Sequence, residues 1–147
     1  MNWRKAVSRL DRVYRKIPVL DCARQCHGSC GPIPCTDLEL ERMRRLAGDR
    51  GSMLAPECPY LNRASRMCDC YGARPIVCRL FGVVHEMACP HGCMPDRWLT
   101  DLEARALLCD VESLSIAWKH GIAPEDTRQH QGKRRKRAET TNQRTGV

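Results

Sequence analysis

Cys22, Cys26, Cys30 and Cys35 form one run, Cys58, Cys68, Cys70, Cys78, Cys89 and Cys93 a second group, and Cys109 stands alone downstream. Thiols gathered this densely serve as disulfides or as ligands for a thiophilic metal. The first twenty residues contain no apolar run long enough for a secretory segment or a membrane span, so a reducing, cytoplasmic setting is expected. An odd count of eleven leaves one thiol unpaired under full oxidation. Cys-x-x-x-Cys repeats also bring neighbouring sulfurs onto one turn, which suits a shared ion better than a bridge between them. Metal ligation is the expected chemistry. All-thiolate sites suit tetrahedral zinc and iron-sulfur clusters alike, because both want soft anionic sulfur. His27, His85 and His91 lie within or beside the clusters and are each able to replace one thiolate.

Composition limits what else can hold the chain together. Aromatics make up 5% of the residues, with Phe81 the single phenylalanine, so an apolar core alone would be thin. Coordination energy absent from the unfolded chain becomes folding energy, and the metal-free protein is expected to be loose. The net charge of +8 is concentrated at the two ends, each carrying an excess of five basic groups, while the cysteine-bearing middle is slightly acidic. Bound thiolates would make that middle more negative still.

The elements around the cysteines follow from periodicity and capping. Trp3, Val7, Leu10, Val13, Tyr14 and Ile17 recur at helical spacing, which predicts an amphipathic helix over 1–17, stopped by Pro18 and docked on the core by its apolar stripe. Residues 18–121 form the expected cysteine-cluster domain. Thr36-Asp37-Leu38-Glu39 and Thr100-Asp101-Leu102-Glu103 are capping boxes, opening one helix that leaves directly from Cys35 and a longer one carrying Leu107, Val111, Leu114 and Trp118 to Gly121. The first of these places Cys35 beside free amide donors, where a lowered thiol pKa is expected. Cys109, inside the apolar helix, is expected to be a small buried hydrophobe. Cys58 to Leu61 and Met67 to Tyr71 read as two strands of a hairpin that carries Cys58 towards Cys68. The segments RPIVC and CPHGC read as tight loops. From residue 122 onward a basic tail with Lys133, Arg134, Arg135, Lys136 and Arg137 is expected to be disordered. The expected fold class is therefore a small, irregular, metal-stabilised α+β fold, with three helices flanking Cys-rich loops and a short hairpin.

The cysteine run ending in TDLE, then C58-PYL, then M67-C-D-C-Y-G-A-R-P-I-V-C-R-L-F81, then C89-PHG-C93, resembles the YkgJ-like cysteine-cluster family, described as a zinc- or iron-chelating domain. The resemblance covers about residues 22 to 93 and is most specific at Cys68-x-x-Tyr71-x-x-Arg74-Pro75-x-x-Cys78-Arg79. The first run is looser than the family's CxxCxxCC, and Cys70 stands where the family has an apolar residue. Carried over position by position, the resemblance implies Cys22, Cys26, Cys30, Cys35, Cys58, Cys68, Cys78, Cys89 and Cys93 as metal ligands and Cys70 as a non-ligand. Eight thiolates would complete two four-ligand sites or one larger cluster. Arg74 and Arg79, beside Cys78, are expected to offset thiolate charge and fix the loop, with Pro75 holding the turn and Tyr71 packed under it.

Three functions compete. The leading one is a cytosolic accessory or structural module that binds zinc, iron or an iron-sulfur cluster through thiolates. A second is a component of a redox or modification enzyme, since related cysteine clusters occur fused to a flagellin lysine methylase; the chain has no G-x-G-x-x-G loop, P-loop or Ser/His/Asp constellation to support it. The third is a metal-stabilised nucleic-acid binder acting through the basic tail, with phosphates rather than bases as its target.

Overall fold

The computed structural model of the chain describes residues 1–122, so the basic run at Lys133 to Arg137 and all but the first residue of the tail expected over 122–147 lie outside the described residues. Among the described residues the fold is mixed: four helices and one two-stranded antiparallel hairpin. No helix there is long and apolar enough to cross a membrane.

Helix α1 (Trp3–Tyr14) starts at Asn2, whose side chain accepts from the Lys5 amide at 2.9 Å, and buries Ala6, Leu10 and Tyr14. The docked apolar stripe was expected; the helix ends a turn before Pro18. Helices α2 (Asp37–Ala47) and α4 (Asp101–Lys119) both open on complete capping boxes. Thr36 and Glu39 exchange bonds of 2.9 and 3.4 Å, Thr100 and Glu103 bonds of 2.8 and 3.2 Å. Buried Ser115 on α4 accepts the Leu38 amide at 3.1 Å, which fixes the start of α2 against the middle of α4.

A fourth helix, α3 (Ile76–Leu80), occupies part of the segment expected to be loop. Its cause lies in the sequence but at a distance. Pro75 caps it with an extended backbone, and the Ile76 amide donates to Glu39 Oε1 at 2.6 Å. The hairpin is shorter than expected: β1 (Leu61–Asn62) pairs with β2 (Met67–Cys68) through Leu61 opposite Cys68 and Asn62 opposite Met67. Asn62 Oδ1 accepts from the Ala64 and Ser65 amides at 3.0 and 3.1 Å and closes the turn. Cys70 then enters a single 3-10 turn, Tyr71–Ala73, instead of extending the strand.

Two cores result. The larger joins α1, α2, α3 and α4 through Ala6, Leu10, Leu38, Ile76, Leu80, Leu107, Val111 and Leu114, with Trp3 edge-on to Trp118 at 5.9 Å. It contains no cysteine. The smaller is built from Met43, Met53, Tyr60, Ala73 and the buried Cys58 and Cys70, with Cys30, Cys35 and Cys68 packed against it. Here thiols take the place of hydrocarbon.

The two cores meet at Glu39, which is fully buried. Its Oε1 accepts from Tyr14 Oη at 2.8 Å as well as from Ile76, and its Oε2 from Thr36. One carboxylate thus caps its own helix and ties α1 and α3 to it. Burial and the Glu39 carboxylate push the Tyr14 phenol far above its ordinary value, so it remains a donor.

Cys109 corrects an expectation, because it is exposed. At about 100° per residue, Cys109 lies some 200° around α4 from Leu107, and the same helix buries Leu107, Val111 and Leu114 on its inner side. The apolar periodicity was sound, but Cys109 is off its register.

Candidate metal centre

Eight of the nine expected ligands line a single cavity of about 380 Å³: Cys22, Cys26, Cys30, Cys58, Cys68, Cys78, Cys89 and Cys93. They arrive from separate parts of the chain, and the backbone brings each into place. An antiparallel bridge between Leu20 and Pro95, with the Asp96 amide on the Val19 carbonyl at 3.0 Å, carries Cys22 and Cys93 to the same rim. The Cys58 amide donates to the Cys30 carbonyl at 3.1 Å, the β1–β2 pairing delivers Cys68, and α3 delivers Cys78. Gly82, at φ +89°, allows the chain to turn close under this rim: a Cβ there would stand 2.5 Å from Leu20 Cδ2.

Cys35 lies outside the cavity. It borders a shallow depression with Pro34, Leu40, Arg44 and Met53. Its thiol is also pushed up to about 11, by burial first and then by the Glu39 and Asp37 carboxylates, which reverses the lowering expected at a helix start. Burial comes first, and the Glu39 carboxylate that the capping box requires adds to it. Cys70, which the resemblance implies is a non-ligand, is buried with its sulfur 3.5 Å from Cys68 Sγ. Hydrogen bonding from Cys70 lowers the Cys68 thiol, while the same contact and burial raise Cys70. The two thiols thus form one close sulfur pair. The signal for this was the Cys-x-Cys spacing across a strand end, which places both side chains on one face.

Backbone amides point at several sulfurs. The Ala23 amide lies 3.4 Å from Cys93 Sγ and the Arg24 amide 3.3 Å from Cys22 Sγ, with Arg24 held at φ 57°. Burial raises Cys58, and amide bonds from Tyr60 and Leu61 work against it. At Cys89 burial also acts upward, but amides of His91 and Cys93 prevail and lower the thiol. Such N–H donors favour the thiolate and are the usual support for sulfur ligands.

The two arginines beside Cys78 divide the expected work. Arg74 stacks on the Tyr71 ring at 3.6 Å and its charge lowers the thiols of Cys26, Cys30, Cys68 and Cys78 against their burial. Arg79 also lines the cavity but is tied to backbone and ring. It donates to the Arg74 and Gly72 carbonyls, each at 2.8 Å, and lies over the Tyr14 ring at 4.2 Å. Of the histidines, His27 and His91 line the cavity, whereas His85 stacks on Trp98 at 4.1 Å.

Soft sulfur donors in this number suit zinc, iron or an iron-sulfur cluster. Among the described residues, however, no group of three or more His, Cys, Asp or Glu side chains is converged as a metal site would require. The donor set fits in type, and the sulfurs share one cavity without converging on a point.

Burial makes an expectation about pH. Desolvation pushes Cys78 up to about 12 and Cys30 up to about 11 from an ordinary 9.0. A raised thiol binds its proton more tightly in the folded state, so its contribution is complete below pH 9 and is lost as pH climbs towards 12. Metal-free protein is therefore expected to lose stability across that alkaline window. Denaturant titrations at stepped pH check this, and constant stability from pH 9 to 12 would contradict it.

Comparison with protein-family models, with curated proteins and with solved structures finds no match to this chain.

Proposed function

We propose that this chain is a cytosolic protein that binds zinc or iron through cysteine thiolates, as single ions or as an iron-sulfur cluster, and works as an accessory or structural module. The observation that carries the reading is the assembly of eight cysteines from distant segments around one cavity. Backbone amides lie close to the Cys22 and Cys93 sulfurs, and the Arg74 charge opposes the burial that raises Cys26, Cys30 and Cys78. The resemblance of residues 22 to 93 to the YkgJ-like family points to the same chemistry. Bound metal supplies cross-links between segments that have little regular structure of their own. The protein's residues supply anionic sulfur, and Arg74 limits the charge that accumulates.

Anaerobic purification followed by elemental analysis and a visible spectrum tests this directly. The expected result is zinc or iron in whole-number proportion to protein, with sulfur-to-iron absorption and acid-labile sulfide if the metal is a cluster. Protein that is isolated without metal and also takes up no added zinc(II) or iron(II) would sink the reading.

A further inference from the structure

We infer that Cys68 and Cys70 are a redox-active dithiol that exchanges with a small, carboxylate-bearing disulfide entering the cavity, Cys68 as the attacking sulfur and Cys70 as the resolving one. This chemistry needs no metal and stands on where the two sulfurs lie. Cys68 Sγ and Cys70 Sγ are 3.5 Å apart. A disulfide bond is about 2.05 Å long, a closure that side-chain rotation supplies when both thiols already share one face. The peptide between them is held in place. The Asp69 amide donates to the Tyr60 carbonyl at 2.9 Å, and the Asp69 carboxylate accepts from Arg50 at 2.5 Å and from Asn62 at 3.4 Å. The Ala73 amide donates to the Cys70 carbonyl at 2.8 Å and closes the turn beyond. The two thiols differ in access: Cys68 is half-buried and lines the cavity, whereas Cys70 is 1% exposed and belongs to the core of Met43 and Tyr60.

The order of reaction follows from that difference. The Cys68 thiolate attacks one sulfur of the incoming disulfide: a bond from Sγ to that sulfur forms, the disulfide bond breaks, and one thiol departs with the proton given up by Cys68. The Cys70 thiolate then attacks Cys68 Sγ. The bond between the two protein sulfurs forms, the mixed disulfide breaks, and the second thiol leaves with the Cys70 proton. The protein dithiol thereby loses two electrons and the small disulfide gains them. A ring closed across one intervening residue constrains the unfolded chain little, so the product is a labile link rather than a structural one. The cavity wall selects the partner. Arg24, Arg66, Arg74 and Arg79 line it, and among the described residues that line it there is no Asp or Glu. Arg24 and Arg74 both stand over the ring of Tyr71, at 4.4 and 3.6 Å, one turn beyond Cys68. Carboxylates on the disulfide would meet guanidinium groups there without a competing side-chain carboxylate.

Glutathione disulfide, which bears carboxylates, and uncharged hydroxyethyl disulfide are the probes. Each is applied to the reduced full chain as it purifies and again after chelation, since metal held at Cys68 would shield its sulfur. Peptide mass mapping is expected to show a link between Cys68 and Cys70 after glutathione disulfide. Cys70→Ser should instead accumulate the mixed disulfide at Cys68, and Cys68→Ser should leave Cys70 unmodified. Should either variant fail to fold, the linkage found in the parent chain decides the matter. Exposed Cys109 is the internal reference: the preference for glutathione disulfide over hydroxyethyl disulfide should be several-fold greater at Cys68 than at Cys109, and should shrink with added salt. Oxidation that joins Cys68 to a different cavity cysteine would overturn the pair. So would a reduced chain whose Cys68 and Cys70 resist glutathione disulfide both before and after chelation. Equal preference at Cys68 and Cys109 would overturn the selection by the arginines. Metal content, read separately by elemental analysis, tells these failures apart from a failure of metal binding.

Discussion

Replacing Glu39 by Ala is expected to cost about 4 kcal/mol of folding stability, far more than the same change at Glu103. The two residues occupy identical places in two TDLE capping boxes, so local helix capping, worth roughly 1 kcal/mol, is common to both. Glu39 alone is fully buried and alone accepts from other elements, the Tyr14 hydroxyl at 2.8 Å and the Ile76 amide at 2.6 Å. Its removal orphans two buried donors, at roughly 1–3 kcal/mol each. Glu103, near the surface, has only Arg97 as an additional partner. Chemical denaturation of the two variants side by side checks the contrast. Similar losses would mean that Glu39 does no more than cap α2.

Removing metal is expected to have the larger effect, and to act on half the molecule. The core that joins α1, α2, α3 and α4 is apolar and contains no cysteine, so it should persist. The second core is held by one pair of two-residue strands, short 3-10 turns, packed thiols and the Met43 face of α2, with little else to resist opening. A structural zinc site contributes on the order of 10 kcal/mol or more to folding. Chelation should thus abolish amide protection from Cys22 to Cys35 and from Cys58 to Cys70 while α1 and α4 keep theirs. Hydrogen exchange with and without chelator measures it, and unchanged protection of the cysteine segments would show that coordination is not their support.

Legibility in the sequence followed the range of the interactions. Both long capped helices could be placed from TDLE and the leucine spacing because capping and amphipathicity act within a turn or two. Helix α3 could not be, since its first amide is satisfied by a carboxylate 37 residues earlier. Cys109 was misplaced for a related reason: apolar neighbours on both sides resemble a core, and only the phase of the whole helix turns it outward. The gathering of Cys22, Cys26, Cys30, Cys58, Cys68, Cys78, Cys89 and Cys93 was anticipated as a set through resemblance. The position of Cys35 was not, because it depends on how the loop from Ile33 to Cys35 packs on Met53, whose carbonyl accepts the Ile33 amide at 2.8 Å.

The central claim, that thiolates of this cavity bind the metal, is tested most directly by X-ray absorption at the edge of the metal that purifies with the full chain. The account predicts a first shell of sulfur alone, at about 2.3 Å for zinc. A first shell dominated by nitrogen or oxygen at about 2.0–2.2 Å would contradict it, and would move the metal from the cysteines to other ligands.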